Sequence, residues 1–398
     1  MKLIKQVTCL AAVALLASGC ANSSPGASGA GTEASTGPLK IGVIIPLSGA
    51  AGPNGKHVLA AIQVEAEKVN AAGGVNGRKI EVLAKDDQST PATGVAAAND
   101  LVSQKVDVVM GGWNSPVTLA IQPILVRGGV MNITTIPQAS KILGGVDDAA
   151  VRMNAGNAVG GYVAAKFLTG TLHAKNIGLL LENDAYGKDA GDRVRKNLPT
   201  DAKVATEQSF AYTDTDFRVA LSSLQAAKPD AIFSADAAES SGQPALMKQL
   251  SQLNLGVPYF AGTGTVSQAV IDLAGAGADD AYSADLYFAD AEPWASSPQN
   301  KEFIAAFQKK TGSMPDKFAA LGAQSVDVWA QAVKKAGTTE RSAVGKAIHG
   351  QSFSGTLLGD VTFTQTGQMI SKMYAFQVKK EKVNVLNEIP VPNEVWSQ

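Results

Sequence analysis

The side chains best suited to chemistry are few and scattered. Three histidines, His57, His173 and His349, lie far apart with no carboxylate at metal-ligand spacing beside them. No Gly-x-Ser-x-Gly elbow exposes a nucleophilic serine. The stretch PLSGAAGPNG after the first apolar run is not a Gly-x-Gly-x-x-Gly phosphate loop, and Gly262-x-Gly264 is too short to count. These patterns point away from an enzyme, and neither a metal nor a cofactor is expected. What remains is recognition: polar side chains in short turns at the ends of apolar strands, where they can hold a small solute without covalent chemistry.

The elements that must position those turns alternate. Residues 39–46 (LKIGVIIP) form a short Ile/Val-rich run ended by proline, as buried parallel strands do. Helical spacing follows over 55–72 and is stopped by Gly73-Gly74. Strands are predicted at 79–84, 106–110 and 130–134. Helices are predicted over 91–103, with Pro91 in the first turn, and from about Pro116. The rhythm restarts at Asn176, with strands at 177–181, 204–210, 231–235 and 257–261. Between them come a Tyr186-Gly187 turn leading into a helix, then helices over 216–227 and 240–253. Two doubly wound α/β (Rossmann-like) lobes are expected. Beyond them, 301–310 and 319–335 look helical, and 360–378 reads as a hairpin of VTF and MYAFQV about a Thr-Gln-Thr-Gly turn. In open parallel sheets ligands sit beyond the carboxyl ends of strands. Turns 47–54, 111–115, 135–138, 182–186, 236–239 and 262–265 should therefore face a cleft.

The N-terminus carries a different message. Lys2 and Lys5 precede an apolar run over 10–17, with Ser18 and Gly19 just before Cys20. This is the layout of a secretory signal peptide, residues 1–19, and the run is shorter than the ~20 apolar residues that span a bilayer. Leu-Ala-Ser-Gly-Cys resembles a bacterial lipobox, which implies a diacylglycerol on Cys20. Ala17 stands where the lipobox usually has Leu, and an ordinary secreted chain cut near Ala17 or Ala21 is the alternative. Cys9 leaves with the signal peptide, so Cys20 has no intramolecular disulfide partner. Residues 20–38 then read as the modified cysteine and a Ser/Gly/Ala/Pro-rich tether reaching about 20–25 Å. The expected address is the cell envelope, on the outer face of the cytoplasmic membrane or in the periplasm.

Hydrophobic residues make up 45% and charged residues 17% of the chain, an ordinary globular composition long enough for two domains. Net charge is −1, or −3 without Lys2 and Lys5. No basic cluster marks a nucleic-acid surface.

Several motifs occur in a fixed order: Pro46-Leu47-Ser48-Gly49, Gly55, Asn70 with Gly73-Gly74-Val75 and Gly77-Arg78, Asp86-Asp87, VVMGGWNS over 108–115, and Asp184-Ala185-Tyr186-Gly187. Together they resemble the branched-chain amino-acid-binding protein family, the type I fold of periplasmic binding proteins, from Leu39 nearly to the C-terminus. The resemblance implies two lobes joined by three hinge crossings near Gly156, Tyr287 and Val361. Lobe one would hold 39–156 plus 288–360, and lobe two 157–287 plus 361–398. It also implies a monomer that closes on a small-molecule solute and delivers it to an ABC permease, meeting the membrane only through its lipid.

Site residues follow from the same resemblance. Ser115, with Asn114 beside it, matches a serine that holds a ligand carboxylate. A helix beginning just after it adds N–H donors and a favourable dipole, although any such helix would also take a serine cap. Gln138 replaces a ligand-touching threonine, and Ile136 would offer a backbone carbonyl. Tyr186 matches a pocket tyrosine that could equally be a packed turn residue. Trp113 could wall the pocket or pack within lobe one. Asn54 stands where relatives often carry an aromatic lid. Ala323 replaces another aromatic, next to Gln324. Gly264 stands where amino-acid binders of this family carry the acid that pairs with the ligand ammonium. A buried ammonium without a counter-charge is costly, so either Asp236 or Glu239 supplies the acid or the solute lacks that group. Glu239 could also simply begin a helix. The expected solute is an amino acid, an amide or urea-like compound, or a small carboxylate. A sensory binding domain reporting to a receptor is the other reading the fold permits.

Overall fold

The computed structural model describes residues 37–235, 239 and 241–398. The signal peptide, Cys20, most of the tether and Asp236 lie outside the described residues.

The first half winds as β1 (Leu39–Ile45), α1 (Gly52–Ala71), β2 (Ile80–Asp86), α2 (Pro91–Ser103), β3 (Val108–Gly111), α3 (Ser115–Arg127), β4 (Met131–Thr134) and β5 (Ala150–Arg152). Its strands form a fully parallel sheet in the order β2-β1-β3-β4-β5. β1 is buried along nearly its whole length because helices cover both faces.

The second half runs α4 (Asn157–Lys166), β6 (Asn176–Glu182), α5 (Ala185–Asn197), β7 (Lys203–Phe210), α6 (Arg218–Ala227), β8 (Ala231–Ala235), α7 (Gly242–Leu253), β9 (Tyr259–Ala261), α8 (Gln268–Ala274) and β10 (Tyr282–Asp285). Its parallel strands repeat the first order, β7-β6-β8-β9-β10. The chain then returns to the first sheet's layer as α9 (Pro298–Thr311) and α10 (Lys317–Ala336), which pack on α1, followed by α11 (Arg341–Ile348). Asp316 caps α10, its Oδ1 accepting from Ala319 N at 2.9 Å.

The C-terminal part corrects the expected hairpin. β11 (Ser352–Thr356), β12 (Gly359–Phe363) and β13 (Met369–Ile370) make a separate three-stranded sheet, so VTF pairs with Met369 and Ile370. MYAFQV lies in β14 (Met373–Lys379), which pairs antiparallel with β10 and with β15 (Lys382–Ile389) and completes a seven-stranded sheet. The near-continuous burial of β14 suits a strand inside that sheet, not one arm of a solvated hairpin. The chain thus leaves the first large sheet after Arg152, leaves the second after Asp285, and rejoins the second from the small sheet between Ile370 and Met373.

Two family motifs are structural. Gly55 lies so close to the Pro46 carbonyl that a Cβ would overlap it. Asp86 accepts from Leu47 N at 2.8 Å and Ser48 Oγ at 2.6 Å, which fixes the PLSG loop.

Candidate functional site

Each large sheet reverses its winding once, between β1 and β3 and between β6 and β8. Loops leaving the carboxyl ends of strands at such points frame a crevice. A small, nearly closed cleft, with room for about 20 Å³, lies where the two sets of loops meet. The first sheet contributes Trp113, Asn114 and Ser115 after β3, and Ile136, Pro137 and Gln138 after β4. The second contributes Asp184 and Tyr186 after β6, Glu239 after β8 and Thr265 after β9.

Ser115 is the first residue of α3 and Asn114 its N-cap, with no side-chain cap bond. The alternative reading of Ser115 as a helix cap therefore does not hold. Its Oγ accepts from Ala139 N at 3.3 Å and ties the helix start to the loop after β4. The hydroxyl proton is left to donate elsewhere. First-turn N–H groups have no partner within a helix, so α3 presents donors and the positive end of its dipole to the cleft. Trp113 both walls the cleft and packs on Phe318, ring centroids 4.8 Å apart.

Gln138 reaches across, its Nε2 donating to Thr263 O at 3.1 Å. The Ile136 carbonyl accepts from Asn154 Nδ2 at 2.8 Å. Behind this loop lies Arg152, 2% exposed. Its Nη1 donates to the carbonyls of Gln138 (3.1 Å) and Ala139 (3.0 Å), and its Nε to Gln368 Oε1 at 2.6 Å.

Tyr186 sits in the first turn of α5, which Asp184 caps through a 2.9 Å bond from Gly187 N. The expected Tyr186-Gly187 turn is thus helical. Burial pushes the Asp184 carboxyl up, opposed by the backbone N–H groups of Gly187 and Tyr186. Glu239 is buried ahead of α7, outside that helix's first turn.

Three expected residues do not line the cleft. Asn54 is half-buried in α1. Gln324 is fully buried, and its amide is engaged by Thr356 Oγ1 at 2.9 Å and Leu358 N at 3.3 Å; it holds the β11–β12 turn. Gly264 lies one residue from the wall, in a turn closed by Thr265 N donating to Gly262 O at 3.1 Å. Its φ of +80° is a conformation that favours glycine.

Sequence reasoning missed Tyr212, from the turn after β7. Burial, then the Glu239 carboxylate, push its phenol above the ordinary range, and the side chains of Asn114 and Ser89 on the first-sheet side oppose this. Tyr212 belongs to a strand-end turn like the others, and that position was its only signal. Among the described residues no cluster of histidine, cysteine or acidic side chains could hold a metal ion, and no helix is long and apolar enough to cross a membrane.

Two doubly wound lobes with a cleft at facing switch points define a solute-binding protein. The periplasmic binding protein family model matches residues 38–382, and the chain belongs to that family. The chain is 27% identical over 332 residues to the leucine-, isoleucine-, valine-, threonine- and alanine-binding protein of Pseudomonas aeruginosa, covering 83% of this chain and 87% of that protein. Among solved structures it resembles LivJ of Streptococcus pneumoniae in complex with isoleucine (TM-score 0.78, 24% identity, 88% of this chain and 99% of that one). It also resembles an ABC-transporter solute-binding protein of Rhodopseudomonas palustris in complex with benzoate (TM-score 0.79, 22% identity, 88% and 96%). The family places such chains outside the cytoplasm.

Proposed function

We propose that this chain is the extracytoplasmic solute-binding subunit of an ABC importer, and that it closes two lobes over a small polar solute. The observation that carries this is the make-up of the cleft. The start of α3 at Ser115 supplies donors for a carboxylate or carbonyl oxygen. Asp184 and Glu239, from the other sheet, supply acceptors for a hydroxyl, amide or ammonium. A solute bearing both kinds of group suits it: an amino acid, an amide or urea-like compound, or a small carboxylate. The Pseudomonas relative is named for amino acids and the Rhodopseudomonas structure holds benzoate, so both ends of that range occur in similar proteins.

The lobes we infer follow the sheets. One joins 39–156 to the returning helices from about 288, and the other joins 157–287 to the C-terminal strands. The strand pairing favours a third crossing near residues 371–372 over one at Val361. Cys20 is the proposed lipid anchor.

A thermal-shift screen of these solute classes tests the reading, since a ligand specific to the folded state raises Tm. For any carboxylate found, Ser115→Ala should weaken binding by roughly 1–3 kcal/mol; unchanged affinity would move the anion subsite elsewhere. Sensing is separated from import by gene neighbourhood, permease and ATPase genes supporting import and a kinase gene supporting sensing.

A further inference from the structure

Lys317 opens α10 and is 4% exposed, yet its ammonium has no hydrogen-bond acceptor among the described residues. Its counter-charge is Asp285 at the end of β10, with Nζ 3.5 Å from Oδ1. That oxygen already accepts from Leu286 N at 2.8 Å. An ammonium has three donors, and one long contact leaves it under-satisfied in a buried site.

Its surroundings place it at the cleft. Nζ lies 4.6 Å from the centroid of the Phe318 ring, and that ring packs on Trp113. On the other side is Gly264, where an added Cβ would overlap Nζ; the next residue, Thr265, is cleft wall. The ammonium therefore stands directly behind the wall made by Trp113 and Thr265. The positive φ at 264 favours glycine, and the ammonium occupies the space beside it where a Cβ would point.

We propose that Lys317 is a specificity-determining residue, a resident cation that rejects solutes carrying an ammonium next to their carboxylate and selects those presenting an acceptor there. The solute class is small carboxylic acids without an α-ammonium, hydroxy and oxo acids included. This rests on reading the cleft as the solute site. An ammonium on the solute side of that wall would meet like charge across it where little water screens it, whereas an acceptor oxygen there would be favoured. Asp285, and Asp316 next to Lys317, partly offset its charge within the protein, so the acid need not be doubly charged.

The test uses the full-length chain and probe pairs that differ chiefly at the α-ammonium: L-leucine and 4-methylpentanoate, L-alanine and L-lactate, L-phenylalanine and 3-phenylpropanoate. Titration calorimetry and thermal shift are read at pH 7. The wild-type chain should prefer the ammonium-free member of at least one pair by about tenfold or more. Lys317→Met leaves the Asp285 carboxylate without its cation and should swing that preference toward the amino acid. Lys317→Met combined with Asp285→Asn removes both charges, guards against misfolding from a lone buried carboxylate, and should bring the ratio close to one. The proposal is overturned if the amino acid of every pair binds as tightly as its partner, if no acid raises Tm, or if the ratio is the same in all three proteins. An amino acid that binds the wild-type chain and is weakened by both Ser115→Ala and Glu239→Gln would put the ammonium at Glu239. That result would sink the role of Lys317 while leaving the solute-binding reading intact.

Discussion

Ser140 and Asp189 are bonded twice at the edge of the cleft, the backbone N–H and the hydroxyl of Ser140 both donating to Asp189 Oδ2, at 2.8 and 2.9 Å. Ser140 follows the loop after β4 in the first sheet, and Asp189 lies on α5 of the second. The pair, like Gln138 with Thr263, therefore joins the two sheets' loops only when they are together. Asp189→Ala should favour separation of the loops. With about 1–2 kcal/mol lost from charged-group hydrogen bonds, solute affinity should fall roughly 5- to 30-fold. Small-angle scattering should report a larger radius of gyration without solute. Equal compactness and equal affinity in both proteins would show that these bonds do not govern closure.

Gly55→Ala addresses the frame beneath the site. The new methyl would strike the Pro46 carbonyl, so the start of α1 or the PLSG loop must shift. A loss of ~1–3 kcal/mol in urea unfolding is expected. Gly37→Ala is the control, because nothing lies within 4 Å of the Cβ it would add. Equal stability of the two variants would contradict the packing described.

Glu65, on the face of α1 toward α9 and α10, is 6% exposed, and burial raises its carboxyl to about 7 despite Lys68. Lys68 Nζ lies 3.4 Å from Glu65 Oε1. A carboxyl with a folded pKa above its unfolded value of 4.5 holds its proton longer in the folded state. Its contribution to stability is therefore full below about 4.5, declines as pH rises, and is lost above about 7. Glu65→Gln should remove that decline and gain of order 1–3 kcal/mol relative to the wild-type chain at pH 8 over pH 5. Parallel stability-versus-pH curves for the two proteins would refute the assignment.

Cys20→Ser should release the chain from the membrane fraction and leave solute binding unchanged. Retention of the variant in membranes would end the tether proposal.

The strands were legible because parallel strands buried on both faces read as apolar runs, as in residues 39–45 and 231–235. α4 was not read. Its Gly160-Gly161 looks like a breaker, yet Gly161 lets α4 pack against the backbone of α5 at Arg193 and Val194, and burial on nearly all sides leaves α4 no polar stripe. β15 was missed because its hairpin turns on Lys380 and Glu381, both at positive φ (52° and 58°), without the Asn-Gly signal such a turn usually carries. The strand-end rule found the loops after β3, β4, β6, β8 and β9. It could not say which neighbours lean in from elsewhere: Lys317 comes from a helix 32 residues beyond Asp285, a pairing that only the packed fold creates. Gln324 misled in the opposite sense, as a polar residue predicted to face solute whose amide is consumed by a turn of the small sheet.

The buried guanidinium of Arg152 has a mechanical consequence. It is bonded at once to the carbonyls of Gln138 and Ala139 and to Gln368, which in turn donates to Asn154 O at 2.9 Å. Pulling any of these away would strand a cation with no water at hand. The β4 loop, the exit from β5 and the segment entering β13 are thereby riveted into one block. On the lobe division proposed above, opening the cleft at low cost would leave that block intact, and residues 155–156 and 371–372 just past it would be among the pivots about which the loops carrying Tyr186 and Glu239 move relative to it.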